Sequence, residues 1–187
     1  MPMLDAYIPE GALTQDAERK LIAACTDLLL EHEGVRPTNE RARSLAWVFV
    51  HRHQTYVAGA AADAPHYKFV CQVPEGQYNE ERRAAVNKAM TEALVEAEGG
   101  RWPDPEARVW VFTFEVPNGT WGALGGRVVT LADIAAHIIG DAGRRYGERR
   151  LAERRREQAR VLLQAAQPST THVPEAVTRL PDSTVQE

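Results

Sequence analysis

The sequence predicts an α/β fold of the α+β kind: two tandem β-α-β units forming a four-stranded sheet with two helices on one face, plus a C-terminal helix and a tail. Three observations predict it. The segment Pro2-Met3-Leu4-Asp5-Ala6-Tyr7-Ile8-Pro9-Glu10-Gly11 aligns with Tyr67-Lys68-Phe69-Val70-Cys71-Gln72-Val73-Pro74-Glu75-Gly76 at an offset of 65 residues. Apolar residues at helical spacing follow each copy at the same offset: Leu21, Cys25, Leu28 and Leu29 against Val86, Met90, Ala93 and Leu94. A β-prone run then closes each copy, and the two runs share a Trp-Val-Phe core beginning at Trp47 and at Trp110.

In each unit the first strand ends in a Pro-Glu-Gly turn. A helix start follows, with Thr14 or Asn79 as N-cap and acids in the first turn, which suits the positive end of the helix dipole. Gly34 and Gly99-Gly100 mark the helix ends, where a left-handed C-cap is easy. A proline-containing loop leads to Leu45–His51 in the first unit and Val109–Phe114 in the second. The connection is long enough for a crossover helix, so the two strands of a unit should run parallel. The closing runs are apolar on both sides, as in a strand buried on two faces. The chain's own helices cover only one face, which implies self-association through the other.

Beyond the second unit, Asn118–Gly126 reads as a glycine-rich turn or hairpin, with a worn counterpart at Thr55–Ala60. Thr130–Ile139 reads as a short helix with Thr130 and Asp133 spaced as a capping box. The chain thus divides into a body over 1–140, with repeats at 2–62 and 67–128, a charged helix over 141–166 and a disordered tail over 167–187. The run from Arg144 to Arg160 holds 8 arginines against 3 acids, and a solvated helix laced with i,i+4 pairs is the default for it.

Composition excludes some functions. Of the net charge of −4, residues 1–140 carry −6, so the body offers no basic field for nucleic acid. No stretch is apolar and long enough to span a membrane, and no secretory signal opens the chain. Cys25 and Cys71 read as buried thiols of a reducing compartment, which places the protein in the cytoplasm. No metal site is expected. His51 and His53 alternate along a strand, but with His66 they give no firm ligand spacing. No cofactor is expected either.

Pro2 is the candidate of greatest interest. Methionine is normally trimmed before so small a residue, which leaves a prolyl amine at the head of a strand. Position alone allows two readings: a strand-leading proline that costs the ladder no hydrogen bond, or a catalytic amine.

The start Met1-Pro2, the turn Ile8-Pro9-Glu10-Gly11, the helix, the second strand and the turn Gly119-Thr120-Trp121-Gly122 together resemble the tautomerase superfamily, the oxalocrotonate tautomerase and macrophage migration inhibitory factor group. The doubled unit resembles its fused members, and the likeness covers roughly residues 2–135. The resemblance implies a homotrimer and an isomerase in which Pro2 is the general base. It would move a proton next to the carbonyl of a small keto, enol or dienol substrate. An α-amine has an ordinary pKa of about 8, and an apolar pocket lowers it toward neutrality.

The departures matter as much. The family's carboxylate-binding arginine is replaced by Ala12 in the first unit and Gln77 in the second, and the second-strand arginine by Trp47 or Trp110. Leu29, Pro74, Gln77, Phe112 and Thr120 stand where the resemblance to the haloacrylate dehalogenase branch would require its histidine, arginines, tyrosine and glutamate. A dicarboxylate substrate and hydrolytic dehalogenation are therefore not expected. The expected substrate-binding residues are Gln77, Trp110, Phe112 and Trp121, with His51 and Arg52 as the source of the missing cation. The alternative reading is a catalytically inactive trimeric binding or scaffold relative of the same fold.

Overall fold

A computed structural model describes residues 2–123 and 125–167; most of the expected disordered tail, 168–187, lies outside the described residues. The first unit is β1 (Met3–Tyr7), α1 (Gln15–His32), α2 (Glu40–Leu45) and β2 (Trp47–His51). A two-stranded hairpin, β3 (Tyr56–Val57) and β4 (Ala60–Ala61), leads to the second unit: β5 (Tyr67–Pro74), α3 (Glu80–Glu98) and β6 (Val109–Val116). A second hairpin, β7 (Trp121–Ala123) and β8 (Arg127–Val129), precedes α4 (Leu131–Ile139) and α5 (Asp141–Ala165).

The main sheet has the order β2-β1-β5-β6. β1 pairs parallel with β2 and β5 parallel with β6, as the crossover connections require. The two units meet antiparallel through β1 and β5, with Met3 opposite Gln72 and Tyr7 opposite Lys68. The core lies between one face of this sheet and helices α1 and α3. It holds Leu4, Ala6, Phe69, Cys71 and Val73 from the strands and Leu21, Cys25, Leu29, Val86, Met90 and Leu94 from the helices. These are the positions the two periodicities, of about 2 and 3.6, assign to one side. Cys25 and Cys71 are buried free thiols. Burial pushes both up to about 12, so neither is a thiolate nucleophile at neutral pH.

The caps follow the sequence. Thr14 and Asn79 side chains accept from the N–H groups of Ala17 and Arg82, and Gly99 ends α3 in the left-handed conformation. Thr130 and Asp133 form the capping box of α4. Three expectations need correction. Residues 40–45 form a short helix capped by Asn39 where a loop was expected, so β2 starts at Trp47. The sheet face away from the helices is not uniformly apolar. The edge strands expose Trp47, Phe49, Trp110 and Phe114, but a polar line runs between them, where Asp5 meets His51 at 2.7 Å and Gln72 at 3.1 Å. Finally, α5 is not simply a solvated helix.

That helix is held by contacts its composition does not announce. Gly143 and Gly147 let it approach α4: a Cβ at Gly147 would sit 2.7 Å from the Cα of Ala132. Arg155 forks onto Glu75 at 2.8 and 3.0 Å, and Arg154 reaches Glu115 at 3.2 Å. Arg155 holds the Glu75 carboxyl below its ordinary range. Among the described residues no helix is long and apolar enough to cross a membrane.

Candidate active site

Pro2 is buried at the head of β1, where its carbonyl accepts the N–H of Trp47 at 3.3 Å. The antiparallel register with β5 sets it beside the Val73–Pro74 end of that strand. The Pro-Glu-Gly turn of the second unit therefore closes the same end of the sheet. Glu115 organises that turn: one carboxylate oxygen accepts the N–H groups of Gly76 at 2.9 Å and Tyr78 at 3.0 Å, while the other accepts from Arg83 at 3.0 Å. Gly76 takes φ of +100°, and a Cβ there would meet Leu131 at 3.1 Å and the Leu151 backbone at 3.3 Å, so glycine is required twice over.

Gln77 and Tyr78 are buried, and neither Gln77 Oε1 nor the Tyr78 hydroxyl makes a hydrogen bond among the described residues. Burial holds the Tyr78 hydroxyl well above its ordinary pKa, so it is a neutral donor. Helix α5 crosses over this end. Arg150 donates to the Gly76 carbonyl at 2.9 Å, the Gln77 carbonyl at 3.0 Å and the Tyr146 hydroxyl. Together with Arg82, Arg149 and Arg154 it lines a cavity of about 270 Å³ whose floor is Gly76–Asn79.

At the same end α1 terminates in Glu33, which is 2 % exposed. Burial raises its carboxyl above the ordinary range.

The opposite end of the sheet repeats this arrangement with other residues. Tyr67 stands in the place of Pro2, and its hydroxyl donates to the buried Glu98 at 2.8 Å. Arg108 donates to the two oxygens of Glu98 at 2.8 and 2.6 Å, and to the Pro103 carbonyl at 2.9 Å. Next to this triad a cavity of about 890 Å³ is lined by the first unit's Pro9–Ala12 turn, Arg52, His53, His66 and Trp102.

The expected site residues therefore separate. Pro2 and Gln77 share one end. His51 and Arg52 lie at the other, five residues along the paired β1–β2 register, or about 16 Å at ~3.3 Å per residue. Within one chain they are not the missing cation of Pro2. His51 is held by Asp5 and stacks on Tyr7 at 4.5 Å, and Arg52 forks onto Glu18 at 2.7 and 2.8 Å. His53 and His66 each engage a backbone carbonyl through one ring nitrogen, at 3.1 and 2.9 Å, and among the described residues no three His, Cys, Asp or Glu side chains group as metal ligands. Trp110 and Phe112 stand on the open sheet face, with ring centroids 6.2 Å apart. Trp121 is half-buried in the β7–β8 hairpin, its indole N–H without a hydrogen bond among the described residues.

Sequence reasoning missed Glu33, Tyr78 and Arg150. The repeat does carry a signal for Glu33, because Glu98 follows it at the same offset of 65. No signal places Arg150, whose role depends on the path of α5.

No protein-family model matches the chain, and no curated protein matches its sequence. Solved structures do match in shape. A protein called Pt0534, inactivated by 2-oxo-3-pentynoate, superposes with a TM-score of 0.55 at 23% identity, over 68% of this chain and 94% of its own. A fused 4-OT, a symmetric trimer, gives 0.55 at 20% identity, over 67% and 94%. Macrophage migration inhibitory factor of Toxoplasma gondii gives 0.52 at 15% identity, over 67% and 97%.

Proposed function

We propose that this chain, which has the tautomerase fold in its fused two-unit form, is a cofactor-independent tautomerase or isomerase with Pro2 as its general base. One observation carries the reading: Pro2 is buried at the head of β1, beside the second unit's Pro-Glu-Gly turn. Removal of Met1 would free its amine there, and burial disfavours the ammonium form. The neutral amine then takes a proton from carbon next to a carbonyl and returns it elsewhere on the substrate. At the same end of the sheet the Tyr78 hydroxyl is a neutral donor for a substrate oxygen and Gln77 Oε1 an acceptor for an enol hydroxyl, and the cavity of about 270 Å³ that both residues line would take a small carbonyl or enol compound. Of the four arginines around that cavity, Arg150 and Arg82 are engaged by backbone carbonyls and Arg154 by Glu115, while Arg149 stands 4.0 Å from Glu153. This favours a substrate that does not need a fork at each end, hence not a dicarboxylate.

The test is turnover of phenylpyruvate-like and aliphatic enols by native protein and by Pro2→Ala, with mass spectrometry to establish that Met1 is removed. A general base is worth on the order of 10²–10⁴-fold, and a loss of that size is expected. Equal rates for the two proteins would leave the scaffold reading.

We also propose that three chains associate through the open sheet face. Trp47 on one edge strand and Trp110 and Phe114 on the other are 59%, 69% and 52% exposed there, and large aromatics exposed on both edges mark a surface that a partner covers. Trp110→Glu would set a carboxylate in that contact. Light scattering is expected to give the mass of three chains for native protein and of one for the variant. Three-chain mass in both would remove Trp110 from the interface.

A further inference from the structure

We propose that the cavity of about 890 Å³ next to the Tyr67 corner binds a small uncharged polyol, a sugar-like ring compound, through hydrogen-bonding groups that the fold leaves unspent on its wall. The inference goes beyond the tautomerase reading and does not depend on Pro2. Its ground is the bonding state of two histidines that line the cavity. His53 Nε2 meets the carbonyl of His66 at 3.1 Å, and His66 Nδ1 meets the carbonyl of Ala64 at 2.9 Å. A carbonyl oxygen only accepts, so each of these nitrogens carries its ring's proton. In the neutral rings His53 Nδ1 and His66 Nε2 therefore hold the lone pairs. His53 Nδ1 is buried and makes no hydrogen bond among the described residues. Two donors of the same lining are equally idle: the Thr55 hydroxyl and the Trp102 indole N–H are buried without a partner there. Thus three of the seven such atoms among the described residues belong to side chains of this one cavity. A folded chain carries few buried polar atoms without partners, because each costs stability. Their clustering at one cavity marks hydrogen-bonding capacity that a ligand can use.

The wall also selects the kind of ligand. Arg52 is the one guanidinium in the lining, and both its Nη atoms are taken by Glu18, at 2.7 and 2.8 Å. Arg101 lies close by, over the Trp102 ring at 5.6 Å, and donates to the Gly11 carbonyl at 3.3 Å. Glu10 and Asp63 add two carboxylates to the lining. An anion would face those carboxylates with the lining guanidinium already engaged, which disfavours it. A hydroxyl both donates and accepts. Several hydroxyls on one ring therefore match the imidazole lone pairs and carboxylates as donors, and Thr55 and Trp102 as acceptors. Pro9, Ala12, Ala61 and Pro65 supply the apolar stretches against which the C–H face of such a ring packs. The volume lies in the range of small-molecule sites.

The experiment titrates glucose, xylose and myo-inositol into the ¹⁵N-labelled full chain through the millimolar range. Saturable shifts are expected at the Trp102 indole N–H and at the lone-pair nitrogens of His53 and His66, which move upfield on accepting a hydrogen bond. Thr55→Val and Trp102→Phe each remove one idle donor. Each is expected to weaken binding by about 2–10-fold. Thr55→Val is expected to melt no lower than the native chain, because the hydroxyl it deletes has no partner to lose. Absence of saturable shifts with all three compounds would overturn the inference, even if a variant fails to fold; so would undiminished binding by both variants. Saturation by inorganic phosphate or by ethylamine in place of the polyols would also overturn it. The two readings fail separately. Pro2→Ala is expected to bind the polyol as the native chain does, so its turnover tests the tautomerase reading alone, and loss of polyol shifts in the native chain removes only this second site.

Discussion

Arg108→Ala is expected to destabilise the protein by about 3–5 kcal/mol, because it strands a buried carboxylate. The Arg108 and Glu98 side chains are 8% and 0% exposed, and their contact is 2.6 Å. Little solvent is present to screen the charge left on Glu98. The Tyr67 hydroxyl would remain its donor, and one neutral hydrogen bond does not replace a forked guanidinium. Arg108 also ties the Pro65 and Pro103 carbonyls together, so its loss loosens both loops that flank β5 and β6. A fall in Tm of roughly 10–15 °C is expected by calorimetry. The double variant Glu98→Gln with Arg108→Met removes both charges and should cost much less. If Arg108→Ala alone melts within about 2 °C of the native chain, the pair does not hold this end of the sheet.

Gly143→Ala is expected to release α5 from α4. The added methyl would lie on the Ala135 carbonyl and within 2.8 Å of the Ile139 side chain. A backbone carbonyl in a helix has no rotamer to escape into, so the helices must separate. Local overpacking costs about 1–3 kcal/mol, and here the displacement would carry away Arg150, Arg154 and Arg155 together. Limited proteolysis should then cut within 141–165 while the body of the chain stays resistant. Hydrogen exchange at Gly76–Tyr78 should rise in parallel, because Arg150 and Arg154 hold that turn. An unchanged digestion pattern would mean that the close approach of α4 and α5 is dispensable.

The fold was legible because it is written twice. The offset of 65 fixed both first strands and both long helices, and the N-caps Thr14 and Asn79 placed the helix starts within a residue. A short element was harder: α2 has six residues, too few for periodicity to show, and only its cap Asn39 betrays it. At the site, the sequence pointed to Pro2 and to Gln77, which belong to the repeated strand–turn motif. It scattered His51, Arg52, Trp110, Phe112 and Trp121 around a pocket that one chain does not assemble. A linear pattern says which face of a strand a residue occupies, but not which end of the sheet faces which loop. The arginines of α5 were invisible for the same reason. A helix with sparse apolar positions looks solvated until two glycines, 143 and 147, bring it against α4.

The Tyr67–Glu98–Arg108 cluster shows what a tandem copy permits. An assembly made from identical single units must place the same group at every equivalent corner, so a change that firms one corner alters all. Here one corner has been given over to structural cohesion by a phenol and a guanidinium. Its twin keeps Pro2, buried at the head of β1. Duplication thus uncouples the two halves: a change that hardens one need not alter the groups that the other presents.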